Sequence, residues 1–282
     1  MSLTLTPTSF YVAQNTLAIL SVFVLLRLAI PGARPVRLLG SGVHALFTTR
    51  AGRLGLFAIL ATGVLNYVQN LVDPWFTELS QGLHGVEDFA IYLYQLEGGF
   101  TSYLQAFAPL SLVGFFAYVY ISVYPALYVS ALLGLFQLGC YGLVRVGAAA
   151  LVINYVLALP FFLFVSVRET WYSTAGTGLL KARLLLTDLS PDLEPIFRTE
   201  RGIENNFPSL HTSVAVTAAL LAWRSGNRRF SAVCGITAGL IAFSTLYLGF
   251  HWASDMVAGM VHALMCTALA TRIVNPGGRD RR

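Results

Sequence analysis

Seven stretches of about twenty predominantly apolar residues recur along the 282-residue chain, and that recurrence decides what its solvent must be. Hydrocarbon offers no water to satisfy backbone N–H and C=O groups, so a spanning segment has to be a helix or part of a closed barrel. A helix needs ~20 residues to cross ~30 Å of hydrocarbon, whereas barrel strands read as short alternating segments. The runs here are continuous, and only 11% of residues are charged where a soluble domain carries roughly a quarter. The expectation is an all-α, polytopic transmembrane helical bundle. Its seven spans are placed near 10–30, 54–72, 107–133, 147–167, 208–223, 231–250 and 254–273. Apolar sequence continues from Phe107 to Cys140, with Pro125 expected to kink the third span. The run from Phe10 to Ile30 has no basic region before it and no small-residue cleavage site after it, so it is expected to be retained.

Positive charge sorts by connection. Arg27, Arg34, Arg37, Arg50 and Arg53 flank the first connection, and Arg145 lies in the third. Arg224, Arg228 and Arg229 lie in the fifth, and Arg272, Arg279, Arg281 and Arg282 in the tail. These are 13 of the 18 Lys and Arg residues, and the positive-inside rule makes their side cytoplasmic. The second connection, 73–106, has no Lys or Arg and carries Asp73, Glu78, Glu87, Asp88 and Glu97, so it is expected outside. The N-terminus is then external and the C-terminus cytoplasmic, in an integral protein of the cell membrane. Trp75, Trp171, Trp223 and Trp252 fall at expected span ends, as an interfacial aromatic belt requires. Membrane topology thus accounts for the net charge of +5, and no nucleic-acid partner is expected. Cys140, Cys234 and Cys266 are isolated in or near apolar stretches, which argues for packing and against a disulfide framework or a thiolate metal site.

One external connection breaks the pattern. Arg168, Lys181, Arg183, Arg198 and Arg201 all lie between the fourth and fifth spans, on the side the rule leaves poor in cations. Glu169, Asp188, Asp192, Glu194, Glu200 and Glu204 could neutralise them in a solvated loop; the other reading is an anion site at the outer surface. Downstream, Asn205-Asn206-Phe207-Pro208-Ser209-Leu210-His211 reads as a helix start, with a capping Asn and Pro in the first turn. A helix N-terminus presents unpaired N–H groups and the positive end of the dipole, which suits a phosphate. His211 there could deliver a proton to a leaving oxygen, or be an interfacial histidine satisfied by water.

Forty residues on, His251 falls at the external end of the sixth span and Asp255 at the start of the seventh. Both histidines are therefore expected at one membrane face. An Asp four residues after a His can accept its ring N–H, fix the tautomer and leave the other nitrogen free as nucleophile or ligand. Asp255 could alternatively cap the last helix. A carboxylate at a membrane boundary is costly enough to point to function. His44 and His84 carry no such signal, and His262, ~10 Å deeper on the face of Asp255, is expected to pack or support.

These segments resemble the signature of the type 2 phosphatidic acid phosphatase superfamily. Its second motif is Pro-Ser-Gly-His; its third is Ser-Arg, five residues, His, three residues, Asp. Pro208-Ser209-Leu210-His211 matches the second with Leu in place of Gly, and Ser244 to Asp255 matches the third in spacing with Thr245 in place of Arg. Both departures resemble the branch containing inositol phosphorylceramide synthase. The first motif, Lys, six residues, Arg-Pro, is not present as written, because Lys181 is followed seven residues later by Asp188. Arg168, at the external end of the fourth span, is the preferred phosphate ligand, with Lys181 and Arg183 as alternatives. The likeness covers roughly 170–260.

The resemblance implies a lipid phosphatase or phosphotransferase that needs no metal or cofactor and acts at the external leaflet on a lipid-linked phosphate, among membrane lipids. It implies that His251 forms a phosphohistidine, Asp255 orients it, and His211 protonates the departing oxygen and then activates the acceptor. Ser209, helix N–H groups and the cations would hold the phosphate oxygens. The chain then divides into spans one and two with the acidic loop, 1–106, and a catalytic helical core, 107–282, within one membrane domain. Two rival readings stand beside this one. A zinc-dependent membrane hydrolase would use His211, His251 and Asp255 as ligands. An anion transporter would call for mid-depth ionisable groups or broken helices in two repeated halves, and no internal repeat is visible.

Overall fold

The computed structural model describes residues 6–32, 47–84, 88–177, 182–200 and 206–275, together with Gly40 and His44. Among these residues the regular structure is helical, with no strand. The helices are α1 (Pro7–Ala29), α2 (Arg50–His84), α3 (Ala90–Glu97), α4 (Phe100–Leu104), α5 (Leu110–Gln137) and α6 (Tyr141–Phe164). They continue with α7 (Thr170–Thr177), a 3₁₀ turn over Leu185–Asp188, α8 (Leu193–Glu200), α9 (Leu210–Arg224), α10 (Arg228–Tyr247) and α11 (Ala253–Val274).

Five helices, α1, α5, α6, α10 and α11, are long and apolar enough to cross a membrane. The sides of α11 show why a lipid-facing helix reads as it does. Val257, Val261, Leu264, Met265 and Ile273 are exposed, while Gly259, Ala263, Cys266 and Ala270 are buried. Large apolar side chains outside and small ones inside are what close helix packing in lipid calls for, since backbones approach only over small residues. The closest approach is at Gly259, where an added Cβ would lie 2.5 Å from the Ser209 carbonyl oxygen.

The other two expected spans are helical but differ from these five. Residues 54–72 fall inside α2, a single 35-residue helix that packs along α6 and several of whose side chains lie outside the described residues. Residues 208–223 correspond to α9, which has only 15 residues. That is ~22 Å at 1.5 Å per residue, short of the ~30 Å of hydrocarbon. Packed against α5, α6, α10 and α11, α9 is solvated by protein rather than lipid. It can therefore bury hydroxyls: Thr212, Ser213 and Thr217 are fully enclosed. Asn154 of α6, also fully buried, donates to Thr217 Oγ1 at 3.3 Å and accepts from the Ser213 hydroxyl.

Near Pro125, where a kink is expected, the helix widens into a π turn, Val119–Val123, that ends two residues before the proline. Proline has no N–H and its ring crowds the carbonyl four residues back, so the ladder ahead of it widens. Chain direction gathers the starts of α9 and α11 and the ends of α6 and α10 at one end of the bundle. Arg145, Arg224, Arg228 and Arg272 lie at the other. The three cysteines are free thiols.

Asn154→Leu keeps the volume but strands the Ser213 and Thr217 hydroxyls in a dry seam. The variant should unfold in a detergent titration with a loss of about 1–2 kcal/mol, and unchanged stability would show that the α6–α9 contact does not need its polar core.

Candidate active site

Helix α9 starts at least three residues later than its sequence suggests. Ser209, not an asparagine, is the N-cap: its backbone is extended and its hydroxyl accepts the Thr212 N–H at 3.3 Å. Pro208 precedes the cap instead of lying in the first turn, and Asn205 is outside the described residues. Asn206 is diverted, because its buried side-chain amide donates to the Phe250 carbonyl at 2.7 Å. That bond ties the entry of α9 to the residue before His251. His211 then occupies the first turn of α9.

The α10–α11 turn is held as firmly. The Thr245 carbonyl accepts both the Phe250 and His251 N–H groups, at 3.0 and 3.1 Å. The Thr245 hydroxyl turns back to the Ala242 carbonyl at 2.7 Å, so the position that carries Arg in the third motif is spent on local structure. Gly249 has φ +91, and a Cβ there would lie 2.4 Å from the Arg183 carbonyl oxygen. The chain passes through that gap only as glycine. His251 emerges buried, 4% exposed, with Nδ1 at 3.4 Å from Asp255 Oδ2. The same oxygen accepts the Trp252 N–H at 3.0 Å. Asp255 thus both caps α11 and faces His251, and the two readings of its role merge into one.

The starts of α9 and α11 are joined by a backbone bond from Ser209 N–H to the Asp255 carbonyl at 3.1 Å. His211 and His251 consequently meet, their ring centroids 5.7 Å apart and edge to face. His211 is stacked on Tyr120 at 4.8 Å and lies 4.5 Å from Tyr124. Tyr120 in turn stacks on Phe250 at 4.3 Å. The two tyrosines, four residues apart across the π turn, escaped the sequence reading; their spacing on one face of a span was the available signal.

The expected phosphate ligands are placed unevenly. Arg168 lies between α6 and α7, its carbonyl accepting the Trp252 indole N–H at 3.0 Å and its guanidinium 5.7 Å from the Tyr172 ring. Arg183 approaches Gly249 through its backbone, but its exposed guanidinium pairs with Asp188 at 2.6 Å. Lys181 lies outside the described residues. Arg198 of α8, singled out only as one loop cation, stands over Trp171 and Tyr172 at 5.3 and 5.2 Å and pairs with Glu194. Among the described residues no three His, Cys, Asp or Glu side chains group as a metal site.

A buried imidazole backed by a carboxylate, with a second imidazole beside it, is an arrangement for nucleophilic and proton-transfer chemistry. Residues 157–279 match the PAP2 superfamily. Members of that superfamily are phosphatases, and the match covers His211, His251, Asp255 and Arg168. It supports a phosphatase or phosphotransferase acting on phosphate esters, in a chain whose apolar helices make it an integral membrane protein. Comparison with curated proteins and with solved structures yields no match.

Gly249→Ala should both strain the turn and push it off the Arg183 carbonyl. We expect a loss of about 2–4 kcal/mol in unfolding experiments together with a large fall in any phosphatase activity. An active, fully stable Gly249→Ala protein would contradict the close contact.

Proposed function

We propose that this protein is a membrane lipid phosphatase or phosphotransferase that works through a phosphohistidine on His251. The observation that carries the reading is the meeting of two imidazoles at one end of the bundle, with Asp255 on Nδ1 of one of them. Donation of Nδ1–H to Asp255 leaves the lone pair of Nε2 for phosphorus. The N–P bond forms as the ester P–O bond breaks, and the departing oxygen takes a proton from His211. Asp255 stabilises the positive charge that develops on the His251 ring.

In the second half, His211 takes the proton of the incoming hydroxyl. The new P–O bond forms, and the P–N electron pair returns to Nε2. Arg168, the Ser209 hydroxyl and the first N–H groups of α9 supply the fixed charge and dipoles on which such transition states depend. Lys181 and Arg183 are the further candidates for phosphate oxygens. Arg183 would first have to leave Asp188.

Water as acceptor makes the protein a phosphatase, and a lipid or polyol hydroxyl makes it a transferase. Leu210 and Thr245, shared with the inositol phosphorylceramide synthase-like branch, favour a transferase. The bias of cations toward the opposite helix ends supports a site at the external leaflet of the cell membrane, where a phosphatidate-like or isoprenoid phosphate would present its headgroup.

Purified protein in detergent, incubated with radiolabelled lipid phosphates and trapped, should yield an acid-labile, base-stable phosphoryl adduct that His251→Ala abolishes. An adduct on any other residue, or full turnover by His251→Ala, sinks the mechanism. Positioned acid–base groups contribute ~10²–10⁴-fold, so His211→Ala should retain at most about a hundredth of the wild-type rate. Free phosphate against a new phospholipid in the same assay separates phosphatase from transferase.

A further inference from the structure

The superfamily match begins at residue 157, yet the first turn of α11 is bonded to a residue sixty positions before that boundary. Glu97, the last residue of α3, places its carboxylate against the start of α11. Oε2 accepts the Ala253 N–H at 2.9 Å; Oε1 accepts the Ser254 N–H at 2.6 Å and the Ser254 hydroxyl. The first N–H groups of a helix have no partner within it, and a carboxylate there is favoured by the helix dipole. Asp255 sits in that same turn as the helix's own acidic residue. Because Glu97 occupies the Ala253 and Ser254 donors, Asp255 Oδ2 is left to the Trp252 N–H and to His251 Nδ1.

Glu97 is itself held from both sides. Gly98, with φ +62, ends α3 directly after it and turns the chain away. At the other end of α3, Asp88 Oδ1 accepts the Ala90 and Arg168 N–H groups at 2.9 and 3.0 Å, and Oδ2 accepts the Ser173 hydroxyl at 3.0 Å. One short helix of the acidic connection therefore spans from the Arg168 segment to the helix that carries Asp255. Gln105, just beyond α4, adds a third tie: its amide donates to the Arg183 and Tyr247 carbonyls and accepts the Arg183 N–H.

We infer that Glu97 is a positioning residue for the reaction, setting the rotation of the first turn of α11 so that Asp255 addresses His251. The inference rests on the function proposed above. It makes the stretch from Asp88 to Gln105 a working part of the site, although none of its residues falls in the superfamily match.

The test compares wild type with Glu97→Gln, Glu97→Asp and Glu97→Ala, using a short-chain soluble phosphatidate as probe and reading kcat, KM and thermal midpoint. Glu97→Gln is near-isosteric but sets an NH₂ group against a helix N–H donor. It should lower kcat about ten- to a hundredfold with KM within twofold, and slow formation of the His251 adduct by the same factor. Glu97→Asp, which restores the charge, should recover part of the rate. Should Glu97→Ala be recovered unfolded, Glu97→Gln decides.

Removing a carboxylate elsewhere, with Glu78→Gln on the exposed side of α2, should change nothing. A Glu97→Gln kcat within twofold of wild type overturns the inference. So does a rise in KM alone, which would make Glu97 a substrate contact, or a loss accounted for by the unfolded fraction. Wild type silent on every phosphate ester, or His251→Ala matching it, retires the phosphatase reading itself. An active wild type, a dead His251→Ala and an unaffected Glu97→Gln retire only the role of Glu97.

Discussion

The site hangs on the contact between the starts of α9 and α11. One backbone bond, Ser209 N–H to the Asp255 carbonyl, aligns the two helices, and Gly259 lets them close on each other without a side chain between. Each helix then holds a candidate side chain at a set height, His211 in the first turn of α9 and Asp255 in the first turn of α11. Because the contact is backbone to backbone, it does not flex as a long side chain would. A shift of the sort a Cβ at Gly259 would force is large on the scale of catalytic positioning, where about an ångström decides whether groups can react.

Around that contact the protein answers the membrane with two kinds of interior. The lipid-facing shell, typified by α11, turns large apolar residues outward and small ones inward. The centre is different: α9 is enclosed by four helices and carries buried hydroxyls matched by Asn154. Polar groups are tolerated there because the partners are built in, and an unpaired one would be costly in so dry a place. The same enclosure lets α9 be too short to span hydrocarbon alone.

The segments between the long helices hold the two histidine-bearing turns in place. Asn206, Gly249 and Thr245 use side chain, backbone freedom and carbonyl, respectively, to hold the two histidine-bearing turns together. Asp88, Glu97 and Gln105 bring the acidic connection onto the same turns. Thr245, which replaces a cation of the third motif, shows how a departure from the pattern is absorbed. Its hydroxyl closes a local turn on the Ala242 carbonyl.

Much of this was legible in the linear chain, and the reason is periodicity and spacing. Long apolar runs impose helices because hydrocarbon leaves the backbone no alternative, and the His251–Asp255 spacing puts the two side chains within reach across one turn. Chain direction alone brings His211 and His251 to the same end. What only the tertiary structure decided is everything that depends on contacts between distant segments. Ser209, not an asparagine, caps α9, while the Asn206 amide donates to the Phe250 carbonyl, 44 residues away. The tyrosines beside His211 and the carboxylate of Glu97 reach the site through the packing of α5 and α3, which no local pattern encodes. Local sequence can specify which groups a helix presents and at what interval; only the folded bundle specifies which groups they meet.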